Sequence, residues 1–298
     1  AWNCSQNRSI HQAAQWILFD PNSSFSPLFI GPYQGELQQL RERLEAADSS
    51  AAHDFVRFLH RIAKISGLYS ILSSTALQAV KVGISQEKQK GPLTALFRVE
   101  ASLLRRRFPS DWAGRLVAAH KDQWQQPHYF QSFSNVILTW NGSTVGYRHQ
   151  AAQWILFNPG SSFSIVFLKS YRDQLAAIGE RLSQGQAQAA SELTDFLSRT
   201  ETIAGLRVQL TRDSLEILGL GISKQIENGD IESLLNLEVQ FLQETSPSTW
   251  AGEFVSRHSN DFKVTNFLET FTNIVLVWNR SQDTSLYHAA QWILFDPH

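Results

Sequence analysis

The sequence predicts a predominantly helical α+β protein made of two tandem repeats, with an all-α protein as the alternative. A nine-residue stretch at positions 13–21 returns at 151–159, with Asn158 for Asp20, and again at 289–297. Both steps are the same, because 151 − 13 = 138 and 289 − 151 = 138. The offset holds along the chain without an insertion or a deletion. Since every loop keeps its length, we expect the copies to share one fold.

The period divides the 298 residues into repeat 1 (1–139), repeat 2 (140–277) and the start of a third repeat (278–298). Each full repeat is long enough to bury its own hydrophobic core. The third segment is too short for that. We therefore expect it to pack on repeat 2.

Most of each repeat has helical spacing of its apolar residues. Phe55, Phe58 and Ile62 belong to one apolar stripe, and Leu37, Leu40 and Leu44 to another. The same spacing predicts further helices near 68–84, 92–107 and 110–123. Each of these has a counterpart one period later in the sequence. A helical bundle therefore accounts for most of the chain.

Three short apolar segments near the junction of the repeats predict a small antiparallel β-meander. They are 136–140, 154–157 and 163–168, which are rich in β-branched and aromatic residues. Turn-forming residues, such as Asn141-Gly142, separate them. The alternative is a helix from about Tyr147 to Phe157, because a short apolar run is ambiguous by pattern alone.

The meander carries a prediction about the ends of the repeats. We expect 292–295 to lie beside 274–278 and complete the sheet of repeat 2, as 154–157 would do for 136–140 in repeat 1. Repeat and structural domain would then be out of phase. Five tryptophans are the expected residues of this packing between repeats: Trp16, Trp154, Trp292, Trp140 and Trp278.

Composition excludes some classes of function. The net charge of −1 provides no basic surface for nucleic acid, and no apolar run is long enough to span a membrane. The one cysteine, Cys4, has no second cysteine to pair with in the chain. Arg105-Arg106-Arg107 is absent from repeat 2, so we interpret it as the cationic end of a helix. Without a Met at position 1, we expect a removed leader or an excerpt of a longer chain.

The motif Asn-x-Ser, which accepts N-linked glycans, predicts a secreted protein with a glycan on each repeat. Three of the five motifs share one phase of the repeat, where they read Trp-Asn-x-Ser. The five asparagines are Asn141, Asn279, Asn3, Asn7 and Asn22.

One set of residues raises the possibility of catalysis. His120 and His258 share a phase, as do Glu100 and Glu238, and a carboxylate beside a histidine can act as an acid–base pair. The favoured interpretation is structural, with His120 as a capping or half-buried helix residue and Glu100 on a solvated helix face. The sequence has no metal, phosphate-loop or nucleophile motif, so we expect no cofactor and assign no catalytic residue.

These patterns predict a structural repeat glycoprotein, part of an extracellular or cell-surface tandem array that forms a fibre or matrix. Its expected partners are neighbouring repeats or chains and N-linked glycans. The first alternative is a tandem carrier of lipid or another apolar ligand, because cavities between amphipathic helices would suit such a ligand. The second alternative is a glycan-directed enzyme.

Overall fold

The structure is a computed structural model that describes residues 2–48, 50–87, 90–105, 108–186, 188–226, 231–243 and 245–296. These residues form fifteen α-helices and three short 3₁₀-helices, and no β-strand occurs among them. The chain divides into two compact units, Ala1–Val166 and Phe167–His298. The boundary between the units lies inside a helix, whereas the sequence repeats meet at 139/140.

The first unit contains eight complete α-helices, two 3₁₀-helices and the start of a ninth α-helix. In chain order the α-helices are α1 (Arg8–Phe19), α2 (Ser26–Glu45), α3 (Ala51–Ala63), α4 (Leu68–Gln86), α5 (Lys90–Leu104), α6 (Pro109–Ala119), α7 (Pro127–Asn141), α8 (Gly146–Phe157) and α9 (Ser162–Ser183). Trp2–Cys4 and Lys121–Gln123 are the 3₁₀-helices. In the core, α2 packs on α4, α4 on α5, and α5 on α7.

The second unit begins within α9 and repeats this order. Its further helices are α10 (Gln188–Glu201), α11 (Leu206–Gln225), α12 (Glu232–Leu242), α13 (Pro247–Arg257), α14 (Thr265–Trp278) and α15 (Thr284–Phe295), with a 3₁₀-helix at Asp261–Lys263. Here α11 packs on α10 and α12, and α12 packs on α13. Gly67 and Gly205, one period apart, both precede a helix with positive φ values of 92° and 90°. Only glycine adopts such a backbone conformation readily, so the equal positions show the repeat at the level of single residues.

The predicted β-meander is wrong, and the all-α alternative is correct. The segment 136–140 lies in α7, 154–157 lies in α8, and 163–168 lies in α9. The alternative helix from about Tyr147 to Phe157 is confirmed as α8. The predicted sheet completion at the end of the chain fails for the same reason, because 292–295 lies in α15.

The error has a physical cause in how completely α7 is buried. Its last turns bury Ser134, Val136, Ile137 and Trp140, which leaves only a narrow exposed face. Such a helix resembles a strand that is buried on both sides when only five residues are considered. The exposed residues over a longer window do identify the helix, since they recur every four positions: Gln131, Asn135 and Thr139.

Candidate functional site

The first complete helix of repeat 2 and that of the third repeat each lie on the last helices of the preceding sequence repeat, within one compact unit. Helix α8 belongs to repeat 2 in sequence, yet it packs on α6 and α7 of the first unit. Helix α15, which begins the third repeat, packs in the same way on α13 and α14. We call α1, α8 and α15 the repeat-start helices. The sites that accept α8 and α15 are grooves between the last two helices of the preceding repeat, α6 and α7 for α8, and α13 and α14 for α15.

A glycine in each groove allows close contact with a tryptophan. A Cβ atom placed on Gly114 of α6 would lie 3.3 Å from the ring of Trp154. A Cβ atom on Gly252 of α13 would likewise lie 3.3 Å from the ring of Trp292. Because glycine has no side chain, the indole ring can lie directly against the helix. Both grooves are therefore built for the same side chain.

The other tryptophans of the predicted set have different surroundings. Trp140 meets Trp112 edge to face within the first unit, with ring centroids 5.8 Å apart. Trp278 meets Trp250 in the same way at 5.7 Å. Trp16 of α1 is 53% exposed, whereas its equivalents lie in a groove.

Polar contacts fix the start of each repeat-start helix, and they involve the Trp-Asn-x-Ser motif. The side-chain oxygen of Asn141 accepts a hydrogen bond from Gln153 of α8, and its backbone oxygen contacts His149 Nδ1 at 2.7 Å. The hydroxyl oxygen of Ser143 accepts from the backbone N–H of Val145 at 3.1 Å. These bonds tie the end of α7 to the helix that follows.

The same Asn–Gln bond occurs at all three phases of the repeat. Gln15 donates to Asn3, and Gln291 donates to Asn279. The motif serine also accepts a backbone N–H at each phase, through Ser5, Ser143 and Ser281. The glutamine was missed at the sequence level, although it is identical in all three copies. The recurrence of Trp-Asn-x-Ser thus has an explanation in local folding.

The five candidate glycosylation sites differ in accessibility. Asn141 is buried, Asn3 and Asn279 are partly exposed, and Asn7 and Asn22 are exposed. The Asn7 side chain also caps α1, accepting from the backbone N–H groups of Ser9 and Ile10. Glycosylation at all five positions stays a prediction.

The predicted acid–base pair is formed, and it is buried. Glu100 of α5 and His120, the residue after α6, are 0% and 3% exposed. The Oε2 atom of Glu100 lies 2.6 Å from Nε2 of His120, and Gln123 Oε1 lies 2.8 Å from its Nδ1. His120 does end a helix, as expected. The placement of Glu100 on a solvated face is wrong, because the paired carboxylate faces the core.

The second unit repeats the pair with more charged neighbours. Glu238 Oε2 lies 2.7 Å from His258 Nε2, and Asp261 Oδ2 lies 2.9 Å from His258 Nδ1. Arg257 donates to Glu238 Oε1 and, at 2.8 Å, to the backbone oxygen of Leu215. Burial lowers the pKa of His258, but the hydrogen bonds and charges of Glu238 and Asp261 outweigh burial and raise it.

In each pair a phenylalanine ring packs against the histidine ring. The ring centroids of Phe97 and His120 are 5.2 Å apart, and those of Phe254 and His258 are 5.5 Å apart. In this position each pair connects two helices, α5 to α6 and α12 to α13. No group of three or more potential metal ligands occurs in the part of the chain that the structure describes. The geometry is that of a structural hydrogen bond between helices.

A surface cavity of about 550 Å³ lies beside α8 in the first unit, and its lining includes Arg98, Arg105 and Arg148. Arg105 donates to the Tyr147 hydroxyl at 2.9 Å. It comes directly after α5, as expected of the cationic end of a helix. The other two arginines of the run, at 106 and 107, lie outside the described residues.

Among the described residues, none of the helices has the length and apolar content needed to cross a bilayer. Comparisons of the chain with protein-family models, curated proteins and solved structures find no match.

Proposed function

We propose that this chain is a structural tandem-repeat protein of an extracellular fibre or matrix, decorated with N-linked glycans. One observation carries the proposal: the first complete helix of repeat 2, α8, is the last complete helix of the first unit and packs on α6 and α7. No linker separates the repeats at this point. An array built in this way has no flexible joint before each repeat-start helix, which suits a load-bearing or space-filling role.

A carrier of an apolar ligand is the second candidate, favoured by one cavity. It has a volume of about 380 Å³ in the second unit and lies between α13, α14 and α15. Its lining includes Phe262, Leu268 and Phe271, so a lipid chain would be an acceptable ligand. The enzyme hypothesis has less support, because both Glu–His pairs are buried.

Electron microscopy of native material tests the structural role directly. We expect filaments or a network that bind a gold-labelled antibody against the chain. Mass spectrometry of the same material would map glycans at the five asparagines. Labelled material that consists only of separate single chains with a copurifying lipid would reject the structural role and favour the carrier.

A glycine substitution tests whether the groove holds α8. Leucine at Gly114 would occupy the place of the Trp154 ring, so we expect at least a tenfold loss of hydrogen-exchange protection in α8. Helices α2 to α4 should keep their protection. Gly35→Leu is the matched control, since a Cβ at Gly35 meets nothing within 4 Å. Equal protection of α8 in both variants would contradict the proposed arrangement.

A further inference from the structure

The cavity of about 550 Å³ beside α8 brings together three arginines of the first unit. Arg98 lies on α5, Arg105 directly follows α5, and Arg148 lies on α8, and all three are exposed to solvent. Among the described residues, the lining contains no Asp or Glu, and none of the three arginines forms an ion pair. The cavity thus concentrates positive charge without a counter-charge from its own walls.

A tyrosine in the lining holds two of these arginines in place. The guanidinium carbon of Arg105 lies 4.9 Å from the centroid of the Tyr147 ring, and that of Arg148 lies 5.8 Å from it. Burial raises the pKa of Tyr147, but the hydrogen bonds and charges of Arg105 and Arg148 outweigh burial and lower it. The surroundings of this hydroxyl group therefore favour negative charge.

Another cavity of the first unit shows how a cluster of arginines is ordinarily neutralised. It has a volume of about 360 Å³, lies between α2 and α3, and also contains three arginines, Arg43, Arg57 and Arg61. There Asp54 pairs with Arg43 and Arg57, and Glu36 pairs with Arg61. Each of those arginines has an acidic partner in the lining of the same cavity. The arginines beside α8 differ from them in this respect.

The second unit shows that folding does not require the arginines beside α8. The positions one period after Arg98, Arg105 and Arg148 are occupied by Asn236, Gln243 and Leu286. Helix α15 nevertheless packs on α13 and α14 as α8 packs on α6 and α7. Since the same packing forms without the three charges, their convergence in the first unit needs an explanation other than stability.

We propose that the cavity beside α8 binds a small molecule that carries two or more phosphate or sulfate groups. The planar guanidinium group donates paired hydrogen bonds that match the oxygens of such groups. Hydroxyl groups of Thr139, Ser143 and Thr144 also line the cavity and can donate to the same ligand. The volume lies within the range of about 300–1,000 Å³ that is usual for small-molecule sites. This binding activity is independent of the proposed structural role.

Isothermal titration calorimetry with pyrophosphate tests the site. An ionic strength of about 0.15 M shortens the Debye length to about 8 Å and so screens diffuse attraction. We expect one pyrophosphate per chain, because the second unit lacks the arginines. Arg98→Gln and Arg148→Gln should each weaken binding at least tenfold. Arg57→Gln is the matched control, since it removes the same charge from the neutralised cavity and should change binding less than twofold. Thermal unfolding checks that each variant folds.

A second probe separates the two kinds of ligand. A sulfated disaccharide, compared with the same disaccharide without sulfate, would bind more tightly than pyrophosphate if the ligand is a sulfated sugar. Tighter binding of pyrophosphate would instead identify a phosphate compound. Either order of affinities supports the proposal, provided that Arg98→Gln and Arg148→Gln weaken binding.

Hydrogen exchange of the unmodified protein provides a readout that needs no substitution. Saturating pyrophosphate should increase the protection of backbone amides in residues 139–148, and residues 51–63 of α3 should stay unchanged. Three results would overturn the proposal. They are no binding of either charged probe, binding that Arg57→Gln weakens as much as Arg98→Gln does, and unchanged protection of 139–148 at saturation.

Discussion

The two units hold the same buried Glu–His pair with different hydrogen-bond partners. In the second unit both oxygens of Glu238 accept hydrogen bonds, one from His258 and one from Arg257. In the first unit Glu100 Oε1 has no hydrogen-bond partner among the described residues. The position of Arg257 is occupied there by Ala119. The pair has thus persisted while its surroundings diverged, which indicates that connecting two helices is what both units require of it.

Changing the carboxyl to an amide should give the largest difference between the units. A Gln side chain has one acceptor oxygen, so Glu238→Gln leaves a donor of Arg257 or His258 facing an amino group. We expect a loss of about 3 kcal/mol in the stability of the second unit. Glu100→Gln can keep its oxygen on His120 and should cost the first unit about 1 kcal/mol. Hydrogen exchange in α12 and α13, compared with α5 and α6, measures both losses. Equal losses of stability in the two units would mean that the hydrogen bond from Arg257 does not contribute to the stability of the second unit.

Removing the arginine should make the second pair resemble the first. Arg257→Ala leaves Glu238 Oε1 without its donor, and a buried acceptor that loses its partner costs about 2 kcal/mol. The readout is again hydrogen exchange in α12 and α13. Arg212→Ala is the control, because the Arg212 side chain is 89% exposed in its ion pair with Glu216 and should cost at most about 0.5 kcal/mol. Similar effects of the two substitutions would disprove a special role for Arg257.

The reverse substitution should repair the first pair. Arginine at position 119 has the same sequence relation to Glu100 as Arg257 has to Glu238. We expect Ala119→Arg to stabilise the first unit by about 1 kcal/mol. This is less than the contribution of the Arg257–Glu238 hydrogen bond, because the new arginine side chain loses conformational entropy when it is ordered. Thermal unfolding of Ala119→Arg, of Glu100→Gln and of the double variant gives the coupling free energy between positions 119 and 100. A gain that survives Glu100→Gln would come from some other contact.

The smallest effect concerns pH in the second unit. Because the pKa of His258 is raised in the folded protein, its charged form stabilises that unit. This contribution is fully present below the unfolded pKa of about 6.5 and is lost as the pH rises through the folded pKa. Protection factors in α13 should therefore fall as the pH increases through that window. His258→Gln should abolish the trend, and a trend that persists in this variant would have another origin.

Helices with a clear apolar stripe could be predicted from sequence alone. Helix α3 is the best example, because Phe55, Phe58 and Ile62 are buried as their spacing predicts. The prediction for α7 was wrong because most of its residues face other helices, so its polar face is narrow and shows its four-residue spacing only over a window longer than the 136–140 segment. The repeat period was a stronger indicator than the local pattern, since Gly67 and Gly205 keep their unusual backbone conformation across it.

The candidate sites were only partly predictable. The recurrence of Glu100 and His120 indicated a pair, but a glutamate in an amphipathic helix ordinarily faces water. Its burial depends on how α5 packs on α6, which no local pattern contains. The hydrogen bond from Arg257 to Glu238 could not be predicted for a different reason. The first copy has alanine at the equivalent position, so comparing the copies gives no indication of this bond.

The fit of α8 and α15 into equivalent grooves has a genetic consequence. Since the period is the same at every point of the chain, deleting or duplicating the codons of one whole period from any starting position returns each helix to an equivalent neighbour. Unequal crossing-over between repeats would therefore give longer or shorter chains that still fold. The seven identical residues of the repeat-start helices are those that must pack in the groove of whichever repeat comes before them.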